Sequence, residues 1–124
     1  MAKYQGFRDL IVYQKSYKLA MEIFEITKSF PKEEKYSLTD QIRRSSRSVP
    51  SNIAEAWVKR KYPKSFVSKL LDSLVEEAET ECWIDMSKDC KYFDDQIHKS
   101  LLDRYQEVAK MLYSMINSPE KFCN

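Results

Sequence analysis

Three arginines lie within five positions of the chain, and they are the strongest candidates for a chemical role. Arg43, Arg44 and Arg47 fall in the segment QIRRSSRSVPSNIAEA, residues 41–56. On a helix, Arg43 and Arg47 lie one turn apart on the same face, with Arg44 beside them. Clustered guanidinium groups bind phosphate through their charge, but arginine also forms ion pairs between helices and subunits. Both interpretations are open for these three residues.

A second group of cations, Lys59, Arg60, Lys61 and Lys64, follows in a predicted break between helices. Side chains in an exposed connection are free to meet phosphate, so contact with RNA or DNA is favoured over structural pairing for this group. For the three arginines the order is reversed, because residues 72–95 carry nine acidic side chains against two lysines. We expect that acidic segment to hold the arginines.

The chain offers little material for catalysis or metal binding. His98 is the only histidine, and Cys82, Cys90 and Cys123 show no C-x-x-C spacing, so neither a zinc site nor a nucleophile–base pair is predicted. The acidic residues at 76–81 lack the Glu-x-x-His pairs of di-metal helical bundles. A single glycine argues against a glycine-rich phosphate loop. We expect a non-enzymatic protein without metal, cofactor or small-molecule substrate.

The elements that position these groups are predicted to be helices. Apolar residues recur at three- and four-residue steps in four segments, at about 7–28, 37–58, 65–87 and 94–117. The scarcity of glycine argues against a sheet with tight hairpins. Segments of this length with short connections pack antiparallel, so residues 1–124 are predicted to be one all-α domain, an antiparallel up-down four-helix bundle.

Each segment has a stripe that is predicted to be buried. The stripes are Leu10, Tyr13, Tyr17, Ala20 and Phe24 in the first segment; Leu38, Ile42, Ser45, Val49, Ile53, Ala56 and Trp57 in the second; Val67, Leu70, Leu71, Leu74, Ala78 and Cys82 in the third; and Ile97, Leu101, Tyr105, Val108, Leu112 and Met115 in the fourth. Further apolar residues widen the first stripe beyond what one core requires. That excess predicts a second neighbour, in the bundle or in an oligomer.

Pro50 interrupts the second segment. Because proline removes a backbone donor, a kink or a split in the helix is predicted there. Ser48 or Asn52 is the candidate N-cap of a second half, and Glu55 would complete a capping box with Asn52. The candidate N-caps of the second and third segments are Ser37 and Ser65.

The sequence does not predict a membrane or secreted protein. Its N-terminus lacks the apolar region of a signal peptide. No run approaches the roughly 18 apolar residues of a membrane-spanning helix. The odd number of cysteines fits free thiols in a reducing compartment. We expect a soluble cytoplasmic protein.

Three motifs, in this order, resemble one known family. They are FRDLIVYQKS from Phe7, FPKEEKYSLT from Phe30, and QIRRSS followed by VPSNIAE between residues 41 and 55. They are similar to the bacterial four-helix-bundle family encoded in intervening sequences of large-subunit ribosomal RNA genes. The resemblance implies a small up-down bundle that assembles into a ring-shaped homopentamer with no established enzymatic activity. It also implies similarity in fold to the accessory protein of diversity-generating retroelements, a basic pentamer that works with a reverse transcriptase and nucleic acid.

The family's conserved positions map onto this chain with two departures. Its Arg-Arg pair falls on Arg43 and Arg44, and its Asn-Ile-Ala-Glu falls on residues 52–55. Where the family usually has glycine, this chain has Ser37 and Ala56. Since glycine permits positive φ and close approach, we expect the loop and the kink to be more regular here.

Together these observations predict a non-enzymatic homo-oligomer, a ring and by resemblance a pentamer, that binds RNA or DNA. The predicted nucleic-acid-binding residues are Arg43, Arg44, Arg47, Lys59, Arg60, Lys61 and Lys64, with the exposed connection contributing more than the helix arginines. The alternative is a protein-binding assembly factor whose charges serve subunit and partner contacts.

Overall fold

The computed structural model describes residues 3–123. They form four helices, α1 (Ile11–Thr27), α2 (Leu38–Val58), α3 (Pro63–Asp89) and α4 (Asp95–Asn117), and three short 3₁₀ turns at Phe7–Asp9, Lys32–Glu34 and Pro119–Lys121. No strand occurs within these described residues. The prediction of an all-helical chain with four helices is confirmed.

The four helices share one hydrophobic core. α2 and α4 each pack against both α1 and α3, whereas in the described part of the chain the backbones of α1 and α3, and those of α2 and α4, do not come within 8 Å of each other, measured between Cα atoms. Every helix contributes large, fully buried side chains, among them Ile23, Ile42, Phe66 and Tyr105. The helices therefore follow one another around the core in chain order. Among residues 3–123, none of them combines the length and the apolar character that crossing a bilayer requires.

α2 begins with a cap that the sequence did not predict. The Ser37 side chain makes no capping hydrogen bond, and its φ of −124° needs no glycine. Instead, Oε1 of Glu34 accepts a hydrogen bond of 3.2 Å from the main-chain N–H of Leu38. Oε2 of Glu34 accepts one of 2.7 Å from the Tyr92 hydroxyl. Ser37 thus occupies the predicted N-cap position, but its side chain does not cap the helix, because its ψ of −108° lies outside the extended region that a capping side chain needs.

α2 continues through Pro50 without a break, so the predicted split is wrong. Asn52 is not an N-cap, because its Nδ2 donates a hydrogen bond of 2.9 Å to the Ser48 carbonyl. Glu55 does not close a capping box and instead forms an ion pair of 3.4 Å with Lys69 on α3. The carbonyl that loses its main-chain donor at Pro50 is that of Ser46, and losing one bond does not end the helix.

Small polar side chains join α2 to α3. Ser45 and Ser46 are both buried, and the Thr80 hydroxyl donates a hydrogen bond of 2.8 Å to Oγ of Ser45. The Ser73 hydroxyl donates one of 2.9 Å to the Val49 carbonyl. Small side chains let helix axes approach, and the hydroxyls satisfy each other within the core.

α3 starts and ends with its own signals. Pro63 is its first residue, a position where the missing N–H costs nothing, so the predicted Ser65 cap is wrong. At the other end, Lys91 has φ 63°. The Tyr92 N–H bonds to the Ser87 carbonyl at 2.9 Å, and the Lys91 N–H bonds to the Lys88 carbonyl at 2.8 Å. These two bonds form a Schellman motif with lysine where glycine is usual.

The predicted buried stripes of α2 and α4 lie in the core, but those of α1 and α3 lie partly outside it. The buried face of α1 is Val12, Ser16, Leu19, Ala20, Ile23 and Thr27, and that of α3 is Phe66, Leu70, Ser73, Leu74, Glu77, Thr80, Ile84 and Ser87. Two apolar stripes remain outside the core. The α1 stripe is Tyr17, Met21 and Phe24, and the α3 stripe is Leu71, Val75, Ala78 and Cys82.

Candidate nucleic-acid interface

The strongest candidate site is an open groove of about 570 Å³ along the first part of α2. Lys35, Arg43, Arg44 and Arg47 supply four cations to its lining, and Asp40 supplies a single carboxylate. The rest of the lining is the Tyr36 ring and the hydroxyl side chains of Thr39, Ser48 and Ser51. We call this feature the arginine groove. Its positive charge is what phosphate oxygens require. The Ser48 and Ser51 hydroxyls already donate to main-chain carbonyls, and the Thr39 hydroxyl is buried.

α2 aligns the groove by its helical repeat. Arg43, Arg47 and Ser51 follow one another at four-residue steps, as do Arg44 and Ser48, and residues at this spacing are neighbours on a helix surface. From Thr39 to Ser51 the helix rises about 18 Å at 1.5 Å per residue. The groove is thus long enough for an extended ligand and not merely for one anion.

Arg43 is the member of the cluster most engaged within the protein. It is half-buried, its Nε donates a hydrogen bond of 2.8 Å to Oγ1 of Thr27, and Nη2 lies 3.4 Å from the Phe24 carbonyl. The Arg43 guanidinium also lies over the Phe24 ring, 4.8 Å from its centroid. Arg43 therefore fastens α2 to the end of α1.

Arg44 and Arg47 are exposed, and they keep their charge available. Arg44 donates a hydrogen bond of 3.2 Å to the Gln41 side chain, and the Arg47 guanidinium lies 5.6 Å from the Phe24 centroid. Within residues 3–123, none of the three arginines forms an ion pair, so the predicted pairing with the acidic residues of α3 does not occur there.

The charge of Arg44 nevertheless affects the acidic residues of α3. Partial burial and the neighbouring Glu79 raise the pKa of the Glu76 carboxyl, while the Arg44 charge opposes this rise. Charge therefore acts between Arg44 and α3 at a distance, without a contact that would fix the guanidinium. The Arg44 side chain keeps the freedom to turn toward a ligand.

The second basic group lies at the far end of α2. Lys59 follows Arg43 by 16 positions, about 24 Å along the helix axis, so the fold does not merge the two groups. Arg60 is half-buried, lies 4.0 Å over the Trp57 ring and donates a hydrogen bond of 3.0 Å to the Trp57 carbonyl. The Arg60 side chain therefore covers the C-terminal end of α2. Lys59 and Lys61 are exposed in the connection, and Lys64 is exposed in the first turn of α3.

A buried polar pair lies elsewhere, between α3 and α4. Glu77 is 3% exposed, and burial together with its hydrogen bond to Glu81 raises its pKa to about 9. The buried Tyr105 hydroxyl has no hydrogen-bond partner among the described residues, and burial and the Glu77 charge raise the pKa of Tyr105. The described residues contain no cluster of His, Cys, Asp and Glu side chains suited to a metal ion. This pair belongs to the core.

Sequence reasoning did not identify the residues at the start of the groove, Lys35, Tyr36 and Thr39, as part of the site. They lie before α2 and in its first turn, so they fell outside the arginine motif. Helical spacing could have identified Thr39, because it precedes Arg43 by one turn. Tyr36 lies in the loop motif and gave no comparable periodicity.

Three comparisons with known proteins bear on this chain. A family model described as 23S rRNA-intervening sequence protein matches residues 8–114, which include α1, α2, α3 and most of α4. A crystal structure of a protein with unknown function from the S23 ribosomal protein family of Bacteroides thetaiotaomicron is similar, with a TM-score of 0.78 and 30% sequence identity. That match covers 86% of this chain and 96% of the other. No curated protein matches the chain. The family resemblance carried by the three motifs is confirmed.

Proposed function

Because the chain belongs to the 23S rRNA-intervening sequence protein family, we propose that it is a non-enzymatic, self-associating protein that binds RNA or DNA through the arginine groove. The family's description ties it to a gene for structural RNA and names no reaction. Binding to phosphate needs no reacting groups, only fixed positive charge and hydrogen-bond donors.

One observation carries the proposal, namely that the groove gathers four cations against one carboxylate and leaves them without ion pairs in the described residues. Elsewhere on the protein, lysines and arginines do pair with carboxylates, as Lys15 does with Glu107 at 2.8 Å and Lys69 with Glu55 at 3.4 Å. A cationic surface that the protein does not neutralise attracts a polyanion and releases its counterions. Lys59, Lys61 and Lys64 provide a second contact on the same ligand or on another.

We propose further that the helices form an up-down bundle and that the bundle assembles into a ring, with five copies by family resemblance. Contacts that support the up-down order are Val49–Ser73 and Ser45–Thr80 between α2 and α3, and Lys15–Glu107 and Glu22–Arg104 between α1 and α4. The α1 and α3 stripes support assembly, because α1 and α3 lie at opposite corners of the bundle and so present two different apolar surfaces. A head-to-tail contact between different surfaces closes into a ring when the rotation fits.

A protein-binding assembly factor is the second candidate function. The exposed apolar side chains of the α3 stripe favour it, since such stripes are typical of protein interfaces. In that case the arginine groove receives an acidic protein segment instead of nucleic acid, and RNA does not compete for it.

The test is a salt titration of binding to a fluorescein-labelled RNA by the full chain. Arg44→Gln/Arg47→Gln should weaken binding and reduce the slope of log K against log salt by about 2, one for each phosphate contact. The matched control is Lys59→Gln/Lys61→Gln, which removes the same charge from the far end of α2. We expect a smaller loss there, whereas the sequence alone favoured the larger loss at that connection. The absence of wild-type binding at low salt would refute the nucleic-acid function and leave the protein-binding alternative.

A further inference from the structure

Tyr36 is the most exposed large aromatic residue of the protein, and it lies at the rim of the arginine groove. Its side chain is 84% exposed, although a tyrosine ring of this size is usually at least half covered. It lines the arginine groove on one side and, on the other, a second cavity of about 540 Å³ that Trp83 and Met86 also line. The Tyr36 ring thus borders both a cationic groove and a cavity that combines apolar side chains with the carboxylates of Glu34 and Asp89.

From this position we infer that the groove takes single-stranded nucleic acid, with an unpaired base stacked on the Tyr36 ring and the adjoining phosphates on Arg44 and Arg47. The inference rests on the proposed function and narrows its ligand. An exposed ring beside a track of cations is the arrangement that single-strand binders use, because every base has a face that stacks and every nucleotide has a phosphate. Bases inside a duplex are already stacked on each other and offer no free face.

The surroundings of Tyr36 fit this role better than those of other exposed tyrosines. The Lys35 ammonium lies 5.3 Å from the Tyr36 centroid, so a cation accompanies the ring at the point where a phosphate would enter. Tyr113 is 57% exposed on α4, the helix diagonally opposite α2, and it lines none of the described groove. Tyr62 is 61% exposed with the Lys61 ammonium 5.8 Å from its centroid, but it lies outside the arginine groove. Within the groove the stacking role therefore falls to Tyr36, and Tyr113 offers a comparison away from it.

The second cavity can accommodate a further base. Leu38, Trp83 and Met86 contribute apolar surface to it, and Glu34, Gln41 and Asp89 contribute polar groups. Because two of these groups are carboxylates, the cavity suits a base and repels a phosphate. A nucleotide strand that crosses the Tyr36 ring from the arginine groove enters this cavity directly, because both are lined by the same tyrosine. The strand would run from phosphate contacts on α2 to base contacts near the ends of α2 and α3.

The experiment measures the affinities of the full chain for three fluorescein-labelled ligands of one sequence: a 12-nucleotide RNA strand, the matching DNA strand and the blunt RNA duplex. We expect both single strands to bind more tightly than the duplex. Tyr36→Ala should weaken single-strand binding roughly ten-fold or more and leave duplex binding unchanged, as expected when one stacked base is lost. Tyr36→Phe, which keeps the ring, should bind as the wild type does, and so should Tyr113→Ala.

The outcomes separate this inference from the function on which it rests. Equal binding of strand and duplex, or single-strand binding by Tyr36→Ala equal to that of the wild type, overturns the stacking role while leaving phosphate binding intact. If instead no ligand binds, or Arg44→Gln/Arg47→Gln binds all three ligands as the wild type does, the proposed function of the groove fails. Because Tyr36 is exposed, its replacement should not disturb the fold, and circular dichroism checks this for each variant.

Discussion

The Nε of Arg43 donates a hydrogen bond of 2.8 Å to the hydroxyl of Thr27, the last residue of α1. Nη2 of the same guanidinium reaches toward the Phe24 carbonyl at 3.4 Å. The free carbonyls at a helix C-terminus carry the negative end of its dipole, so a cation there stabilises the helix. One arginine of the cluster thus serves the fold, and its neighbours Arg44 and Arg47 face the groove.

This division of roles predicts different effects from the arginine substitutions. Arg43→Gln should lower the free energy of unfolding by about 1–2 kcal/mol, because it removes a charged hydrogen bond and a cation at the end of α1. Arg44→Gln and Arg47→Gln should change it by less than about 0.5 kcal/mol, as surface substitutions do. Urea denaturation followed by circular dichroism measures all three. Equal stability losses for the three variants would contradict the division.

The Schellman motif at the end of α3 provides a stabilising substitution. Lys91 has φ 63°, a conformation that costs a residue with a Cβ atom about 1 kcal/mol and costs glycine little. Lys91→Gly should therefore raise the free energy of unfolding by about 0.5–1 kcal/mol. Lys91→Ala removes the same charge but keeps the Cβ, and it should give no gain. A thermal denaturation series of the two variants tests this, and equal effects from glycine and alanine would show that backbone strain is not the cause.

How far the sequence predicts the core depends on how apolar residues are distributed around each helix. In α2 and α4, apolar residues occupy one face, and the predicted stripes are the buried ones. α1 and α3 carry apolar residues on more than one face, and periodicity alone cannot tell which face the core takes. Tyr17, predicted to be buried, is 49% exposed, while Ser73 and Glu77 are buried in place of apolar residues.

The candidate site was predictable to the extent that it lies on one helix. Because Arg43, Arg44 and Arg47 share a motif, the helical repeat places them together without a structure. Their partners were not predictable, since the contact of Arg43 with Thr27 depends on how α1 ends against α2. The place of Tyr36 in the site was not predictable for the same reason, because only the packing of its loop brings it to the rim of the groove.

The buried Glu77 predicts a pH-dependent stability. Its pKa is raised to about 9 in the folded protein by burial and by Glu81, above the ordinary value of 4.5 that applies to the unfolded chain. The folded state therefore holds a proton that the unfolded state releases between pH 4.5 and 9. The stabilising contribution is fully present below pH 4.5 and is lost as the pH rises toward 9, by up to about 1.4 kcal/mol per pH unit.

Glu77→Gln isolates this effect, because glutamine keeps the shape and does not ionise. We expect the variant to gain stability over the wild type as the pH rises from 5 to 8, and to differ little from it near pH 4. Thermal denaturation at several pH values measures the difference.

Glu81→Gln serves as a comparison, because it removes the neighbouring charge without removing the buried carboxyl. It should lower the pKa of Glu77 and partly flatten the dependence of stability on pH. Parallel pH profiles for wild type and Glu77→Gln would refute the assignment.

The α3 stripe makes the proposed assembly testable by a single charge. Val75 lies within the stripe and is 66% exposed, so glutamate at this position is solvated in a monomer and buried without a partner in an assembly. Val75→Glu should therefore leave the helical content unchanged and dissociate the oligomer, because burying an unpaired charge costs several kcal/mol. Val58→Glu is the matched control, since Val58 is similarly exposed, at 73%, but lies at the end of α2, outside both stripes. Light scattering coupled to size-exclusion chromatography gives the mass of each variant. A wild-type mass near the 14.8 kDa of one chain, or an unchanged oligomer in Val75→Glu, would show that the α3 stripe is not a subunit interface.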